Sequence, residues 1–369
     1  MADVCENPVT VSKPRLSWKT ALFPLVGLSA FFLYIYIFQV DIPAIIATAQ
    51  TADPVLYALA VVFSLAEVFA FSASWRVLVK FLKIKLSVLR AFLFVWYSIF
   101  LDIVVPAESV SGEAVRIYLI QREQGMSSCG PAAASLVTHR LLGMGMNVAI
   151  LLVGTSLLLV EGKTSGIILS LILFLAAAIT AVLLLLITFS FKEGWSLKAI
   201  NWLSKVLKII TRGRWKKLEK LTEDACRITQ SFHSSMKEFK RTPKPIALSL
   251  LGLSVTWFFS VSVSYLVFIS LKTPVSWSII LVTSAIVLAV KSIPVGIPFE
   301  VGLPEITMTT LYTSLLGVQY VGIAATATIL NRIITLWLRF FIGLGAQQYL
   351  DLQPIITVCT DNIRKTEKT

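Results

Sequence analysis

Charge is what this chain has least of. Only 14% of its 369 residues are Asp, Glu, Lys or Arg, against roughly 25% in a soluble domain. It has 2 histidines, so neither a histidine cluster nor an H-E-x-x-H zinc motif is present. Its 4 cysteines (Cys5, Cys129, Cys226, Cys359) are scattered without C-x-x-C spacing, which argues against a disulfide framework or a zinc site. No cofactor or metal is implied. What fills the chain instead is apolar: 56% hydrophobic residues and a mean hydropathy of +0.82. Several runs reach the ~20 residues that cross a bilayer. The expected class is an all-α polytopic membrane protein.

The N-terminus does not have the form of a cleaved signal. Lys13, Arg15 and Lys19 precede an apolar run from Ala21 to Val40, longer than the ~7–15 residues of a signal core. Six full spans are expected near 19–40, 54–75, 130–160, 165–190, 246–271 and 320–349. The net charge of +13 is assigned to loops obeying the positive-inside rule rather than to nucleic acid. Loop 41–53 carries Asp41 and Asp53 with no cation, so it lies outside. Loop 76–90 carries Arg76, Lys80, Lys83, Lys85 and Arg90, so it lies inside. Segment 191–244 holds fourteen Lys/Arg against five Asp/Glu and also lies inside. Its apolar residues recur at helical spacing, as in amphipathic helices on a membrane surface drawn to anionic lipid. Both termini, 1–18 and 350–369, are then cytoplasmic, in a multi-pass protein of the cell membrane.

The scarce acids are not spread evenly. Residues 106–113 read "PAESVSGE" and residues 298–305 read "PFEVGLPE", each of the form P-x-E-x-x-x-x-E. Apolar runs 88–105 and 276–297 lead into them. The segments that follow, 109–124 and 301–316, are sixteen residues each and would reach only ~24 Å as helices, short of the ~30 Å hydrocarbon core. Loop charges agree on both sides when 88–124 and 276–316 each enter and return on one face, as re-entrant helical hairpins.

A shift of 192 residues superposes the two motifs without gaps. Pro106 falls on Pro298, Glu108 on Glu300, Glu113 on Glu305, Gly125 on Gly317 and Arg140 on Arg332. Each repeat is a span, a hairpin and a span: 54–160 and 246–349. By loop charge the two run in opposite senses, which is the inverted-topology design of transporters with broken helices near the midplane.

Arginines inside a membrane cost at least ~2.5–3.5 kcal/mol and face the interior or a wet cavity. Arg140 and Arg332 lie near mid-bilayer. Two roles are open to them: fixed pairs with glutamate that hold each hairpin to its neighbouring span, or binding of a lipid phosphate by the planar guanidinium fork. Arg116 falls on Met308, so the first half has an extra cation. Arg339, seven residues after Arg332 on one helical face, either lines the cavity or snorkels. Glu113 and Glu305 sit in first helical turns, where a carboxylate is favoured by the dipole, while Glu108 and Glu300 precede the helix. Four such acids repel unless paired, protonated or bound to a cation, so proton or cation coupling through them is the alternative to capping. Glu67 and Asp102 are intramembrane acids without a matched counterpart. His139 lies beside Arg140 on another face and is expected to pack or make a local hydrogen bond.

"GEAVRIYLI" followed by "HRLLGMGMN", then "IPVGIPFEVGLPE", "LLGV" and "LNRIITLWLRFFIG", resemble the two signatures of the flippase-like family that includes the transmembrane region of lysylphosphatidylglycerol synthases. The resemblance covers roughly 16–350. The chain departs from the pattern at Phe299-Glu300-Val301-Gly302, where a glycine-rich "GGLG" is usual, and at His139, where a glutamate usually precedes the arginine. The resemblance implies a translocator moving a phospholipid or polyprenyl-phosphate lipid between leaflets, with an anionic or phosphate-bearing headgroup. It does not imply an enzyme, since no segment matches the soluble catalytic domain of the synthase members. Two other classes remain open: a membrane-embedded lipid-modifying enzyme holding a metal on Glu108, Glu113, Glu300 and Glu305, and a non-transporting scaffold whose basic segment docks a lipid or glycolipid synthase.

Overall fold

The computed structural model describes residues 42–105, 110–162, 166–210, 218–292 and 302–351. The expected first span, 19–40, lies outside them, as do Glu108 and Glu300. Among the described residues every regular element is helical and none is a strand. Five helical segments are long and apolar enough to cross a membrane: Pro54–Phe81, Met126–Val160, Leu169–Phe191, Lys244–Ser270 and Val318–Asp351. They correspond to five of the six expected spans.

A short helix α1 (Ile42–Gln50) leads to α2 (Pro54–Phe81). Asp53 caps α2 by accepting from the backbone N–H of Val55 (2.8 Å) and Leu56 (3.2 Å), with Pro54 at the first helical position. Helices α3 (Val88–Val104) and α4 (Val110–Gln124) follow. Asp102 near the end of α3 accepts from Ser111 Oγ (2.8 Å) and Gly112 N (2.7 Å) at the start of α4. Arg90 at the start of α3 pairs with Glu123 at the end of α4 at 3.1 Å. The two helices are thus a hairpin tied at both ends. Neither Glu67 nor Asp102 is a lone acid: Asp102 makes this tie, and Glu67 pairs with Arg339. Gly112 has no room for a side chain, because an added Cβ would lie 2.8 Å from Ser98 O. A 3-10 turn (Met126–Ser128) then opens α5 (Cys129–Val160).

After α6 (Gly166–Phe191) come α7 (Glu193–Ile210) and α8 (Leu218–Arg241). The second set of elements is α9 (Lys244–Ser270), α10 (Trp277–Lys291), α11 (Leu303–Leu316), a 3-10 turn (Val318–Tyr320) and α12 (Val321–Arg332). A π-helical turn, Ile333–Leu338, carries α12 into a final helix over 339–351. The element order of 54–160 therefore recurs in 244–351. Both 3-10 turns follow a glycine of positive φ (Gly125, 85°; Gly317, 111°) that admits no ordinary side chain.

The first helices of the two sets, α2 and α9, lie antiparallel. Asp53 N donates to Ser270 O (2.8 Å) at one end, and Ser74 Oγ donates to Ser249 O (2.8 Å) towards the other. Lipid tails are as apolar as leucine, so such helices associate through close van der Waals packing and hydrogen bonds between small residues. Gly252 allows the contact, since a Cβ there would lie 2.8 Å from Ser74 Cβ. Each hairpin then packs across to the other set. Gly343 of the final helix lies against Trp96 O and Phe100 of α3, and Gly154 of α5 lies against Leu281 and Val282 of α10. Glu161 at the end of α5 accepts from Ser278 Oγ of α10 at 2.9 Å.

The basic segment does more than lie on a surface. Helix α8 turns its apolar stripe onto protein, burying Met236 and Phe239 with Leu78 of α2 and Ala134 of α5. Gly130 of α5 fits directly against Ser231. Helix α7 leaves Trp195 and Trp202 exposed.

Gly252→Val should lower the thermal unfolding midpoint in detergent, since overpacking a tight contact costs ~1–3 kcal/mol. Gly145→Ala, with open space around it, should not. Equal midpoints for the two variants would show that the α2–α9 contact is not tight.

Candidate functional site

The two hairpins present the same side-chain pair in different surroundings. In the first, Arg140 stands twelve residues into α5 and donates through Nη1 to Glu113 Oε1 at 3.0 Å. In the second, Arg332 closes α12 and donates through Nε to Glu305 Oε1 at 2.5 Å. Both pairs join residues 27 apart, so the spacing seen in the sequence brings together the four residues it singled out. Glu305 also accepts from Gly302 N at 2.6 Å, which caps α11. Capping and pairing are therefore one arrangement for Glu305.

The pairs differ in exposure. The side chains of Arg332 and Glu305 are 7% and 2% exposed, those of Arg140 and Glu113 33% and 22%. The second pair is sealed and the first is open. A planar guanidinium that is one-third exposed and engaged through one nitrogen retains donors for a further anion.

Arg116 adds to the open side. It lies three residues past Glu113 on α4, is buried (6% exposed), and stands over the Trp75 ring with Cζ 5.0 Å from the centroid. That separation is within cation–π range. Its Nε donates to Gly112 O at 3.5 Å, while its buried Nη1 has no hydrogen-bond partner among the described residues. A buried charged donor left unmatched is costly and calls for an acceptor. The equivalent position in the second set is Met308, buried against the apolar core. Trp75 is itself fixed, donating from Nε1 to Ser135 Oγ at 3.2 Å. His139 makes the local contacts expected of it, with Nε2 3.1 Å from Ser74 Oγ and its ring edge-on to Phe71.

Arg339 does not join this group. It donates through Nη2 to Glu67 Oε2 (2.5 Å) and Ser64 Oγ (2.9 Å), both on α2. A seven-residue step in a regular α-helix would return Arg339 to the face of Arg332. The π-helical turn between them widens the winding through i→i+5 bonds, so Arg332 meets α11 and Arg339 meets α2. Sequence spacing gave no sign of the Glu67–Arg339 pair, because its members lie 272 residues apart and neither is matched by the repeat. Among the described residues no three His, Cys, Asp or Glu side chains form a group able to hold a metal.

The two pairs should respond differently to mutation. Arg332→Met strands a buried carboxylate and should cost ~3–5 kcal/mol, whereas Arg140→Met breaks a partly exposed pair and should cost about 1 kcal/mol or less. Unfolding midpoints in detergent measure both. Equal losses would contradict the sealed-versus-open distinction.

Among relatives, a UPF0104 membrane protein of Pyrococcus horikoshii is 24% identical over 334 residues, covering 88% of this chain and 95% of the relative. A UPF0104 membrane protein of Methanothermobacter thermautotrophicus is 23% identical over 309 residues, covering 81% and 87%. No solved structure matches the chain. The family model described as "Lysylphosphatidylglycerol synthase TM region" matches residues 22–343, and the chain belongs to that family of integral membrane proteins.

Proposed function

We propose that this protein is a lipid translocator of inverted-repeat design, in which the phosphate of a lipid headgroup is held by Arg140 and Arg116 on one side and by Arg332 on the other. The observation that carries the reading is the pair of Glu–Arg contacts at identical spacing, one open and one sealed. A protein resting in one of two related states of an inverted repeat would hold one such pair open and the other sealed. An anion entering the open side displaces Glu113 from Arg140 and satisfies the unmatched Nη1 of Arg116. Rocking of the halves then seals this pair and opens Glu305–Arg332 to the opposite leaflet, as alternating access requires. Glu113, once released, becomes the acceptor for a proton or cation that accompanies the lipid.

Several features support the inverted, re-entrant arrangement. The antiparallel packing of α2 on α9 is what opposite insertion of two copies produces. The hairpin helices have 17, 15, 15 and 14 residues, so each reaches at most roughly 26 Å, below the ~30 Å of the hydrocarbon core. Loop charge favours a cytoplasmic location for both termini, in the cell membrane. The family description names a lipid synthase, which favours a phospholipid or polyprenyl-phosphate lipid as cargo and a lipid or glycolipid synthase as a partner.

An enzyme using the hairpin carboxylates on a metal is less well supported, because Glu113 and Glu305 are each committed to an arginine. A scaffold is also less well supported, because α8 spends its apolar stripe on this chain's own helices. In proteoliposomes with headgroup-labelled lipid, the protein should move label between leaflets and leave the molecule unchanged by mass spectrometry. Arg140→Ala should slow this at least tenfold, and Arg140→Lys should restore it only in part, since the forked donor is lost. An unchanged rate in Arg140→Ala would remove the phosphate role. A new lipid species would favour the enzyme, and no movement of label the scaffold.

A further inference from the structure

The turn between α2 and α3 holds a cluster of cations that the translocation site does not use. A groove of about 540 Å³ opens there, lined by Arg76, Lys80, Lys83 and Lys85. Ile84 and Leu86 form its floor, each 5% exposed, so the alternating lysines are turned outward. Among the described residues none of the four cations forms an ion pair with an acid.

The backbone beneath them is fixed. Helix α2 ends in a Schellman turn, with Lys83 N donating to Lys80 O (3.1 Å) and Ile84 N to Val79 O (3.3 Å). This puts Lys83 at φ 62°, a left-handed conformation that glycine would adopt more readily. Arg76 Nε donates to Leu86 O at 2.8 Å, and Gln124 at the end of α4 both accepts from Lys85 N (3.1 Å) and donates to Lys85 O (2.8 Å). The equivalent turn after α9 has the same geometry, with Lys272 at φ 56°, but over 271–276 it carries that lysine alone. The positive-inside rule asks for charge in a loop. It does not ask for four cations around one groove on a pinned backbone.

We propose that this groove is a second anion site, which takes the headgroup of a dianionic, phosphate-bearing membrane lipid. Basic pockets at the ends of transmembrane helices are suited to such headgroups. The turn follows a 28-residue span, which at ~42 Å ends it at the membrane surface. Val88 and Leu89 beside the groove are 43% and 62% exposed and give an acyl chain an apolar path that a soluble anion would not use. The site lies at the base of the first hairpin, roughly 21 Å along α3 from the Asp102 tie, and is independent of the transport reading.

The test is native mass spectrometry of the purified full chain with phosphatidic acid, phosphatidylglycerol or phosphatidylcholine of matched acyl chains. Phosphatidic acid should be retained at least tenfold better than phosphatidylcholine and better than phosphatidylglycerol. The triple variant Lys80→Gln, Lys83→Gly, Lys85→Gln should lose that preference, while Lys205→Gln, Lys240→Gln, Lys244→Gln should keep it. Lys83→Gly alone relieves the left-handed backbone, so weaker retention with an undiminished unfolding midpoint reports the lost cation rather than misfolding. Equal loss in both triples, or no preference for phosphatidic acid, would overturn the site. Displacement by millimolar glycerol 3-phosphate as effectively as by phosphatidic acid would overturn the lipid as its occupant.

Discussion

An arginine inside a bilayer must find an acceptor, and this fold is arranged around meeting that demand. Arg332 and Glu305 are nearly sealed from solvent, so breaking the pair disrupts a charge balance in an apolar interior. That pair fixes the start of α11 to the end of α12 and thereby sets the second hairpin. In the first hairpin the more exposed Glu113–Arg140 pair is supplemented by Asp102 tying the tip and Arg90–Glu123 the base. The antiparallel α2 and α9 pack on each other through serines and glycine. Among the described intramembrane acids, Glu67, Glu113 and Glu305 each pair with an arginine and Asp102 accepts from Ser111 and Gly112.

Arg116 has a buried donor without a described partner, where the second half has Met308. Among the described residues, the open Glu113–Arg140 pair and the unmatched Arg116 donor lie beside the same helix, α4. The translocation reading rests on that imbalance, together with the family's association with lipid synthesis.

Much of this was legible in the sequence because the repeat is gapless around the motifs. Spacing alone selected Glu113 with Arg140 and Glu305 with Arg332, and hydropathy located five of the spans. What escaped was set by tertiary packing. Glu67–Arg339 joins helices far apart in the chain, and the π-helical turn that re-aims Arg339 has no sequence period to betray it. The tie from Asp102 to Ser111 and Gly112 required knowing that two helices meet tip to tip. The amphipathic pattern of α8 was visible, but periodicity cannot tell a face that meets lipid from one that meets α5.

Opposite insertion of the two halves is the claim on which the account depends most. It is tested most directly by placing single cysteines at Met126 and Val318, which are equivalent in the repeat and exposed at 50% and 78%, in a background free of native cysteines. Sealed vesicles are then labelled with a membrane-impermeant maleimide from each side in turn. The account predicts that Met126→Cys reacts from one face of the membrane and Val318→Cys from the other. Reaction of both from the same face would contradict it.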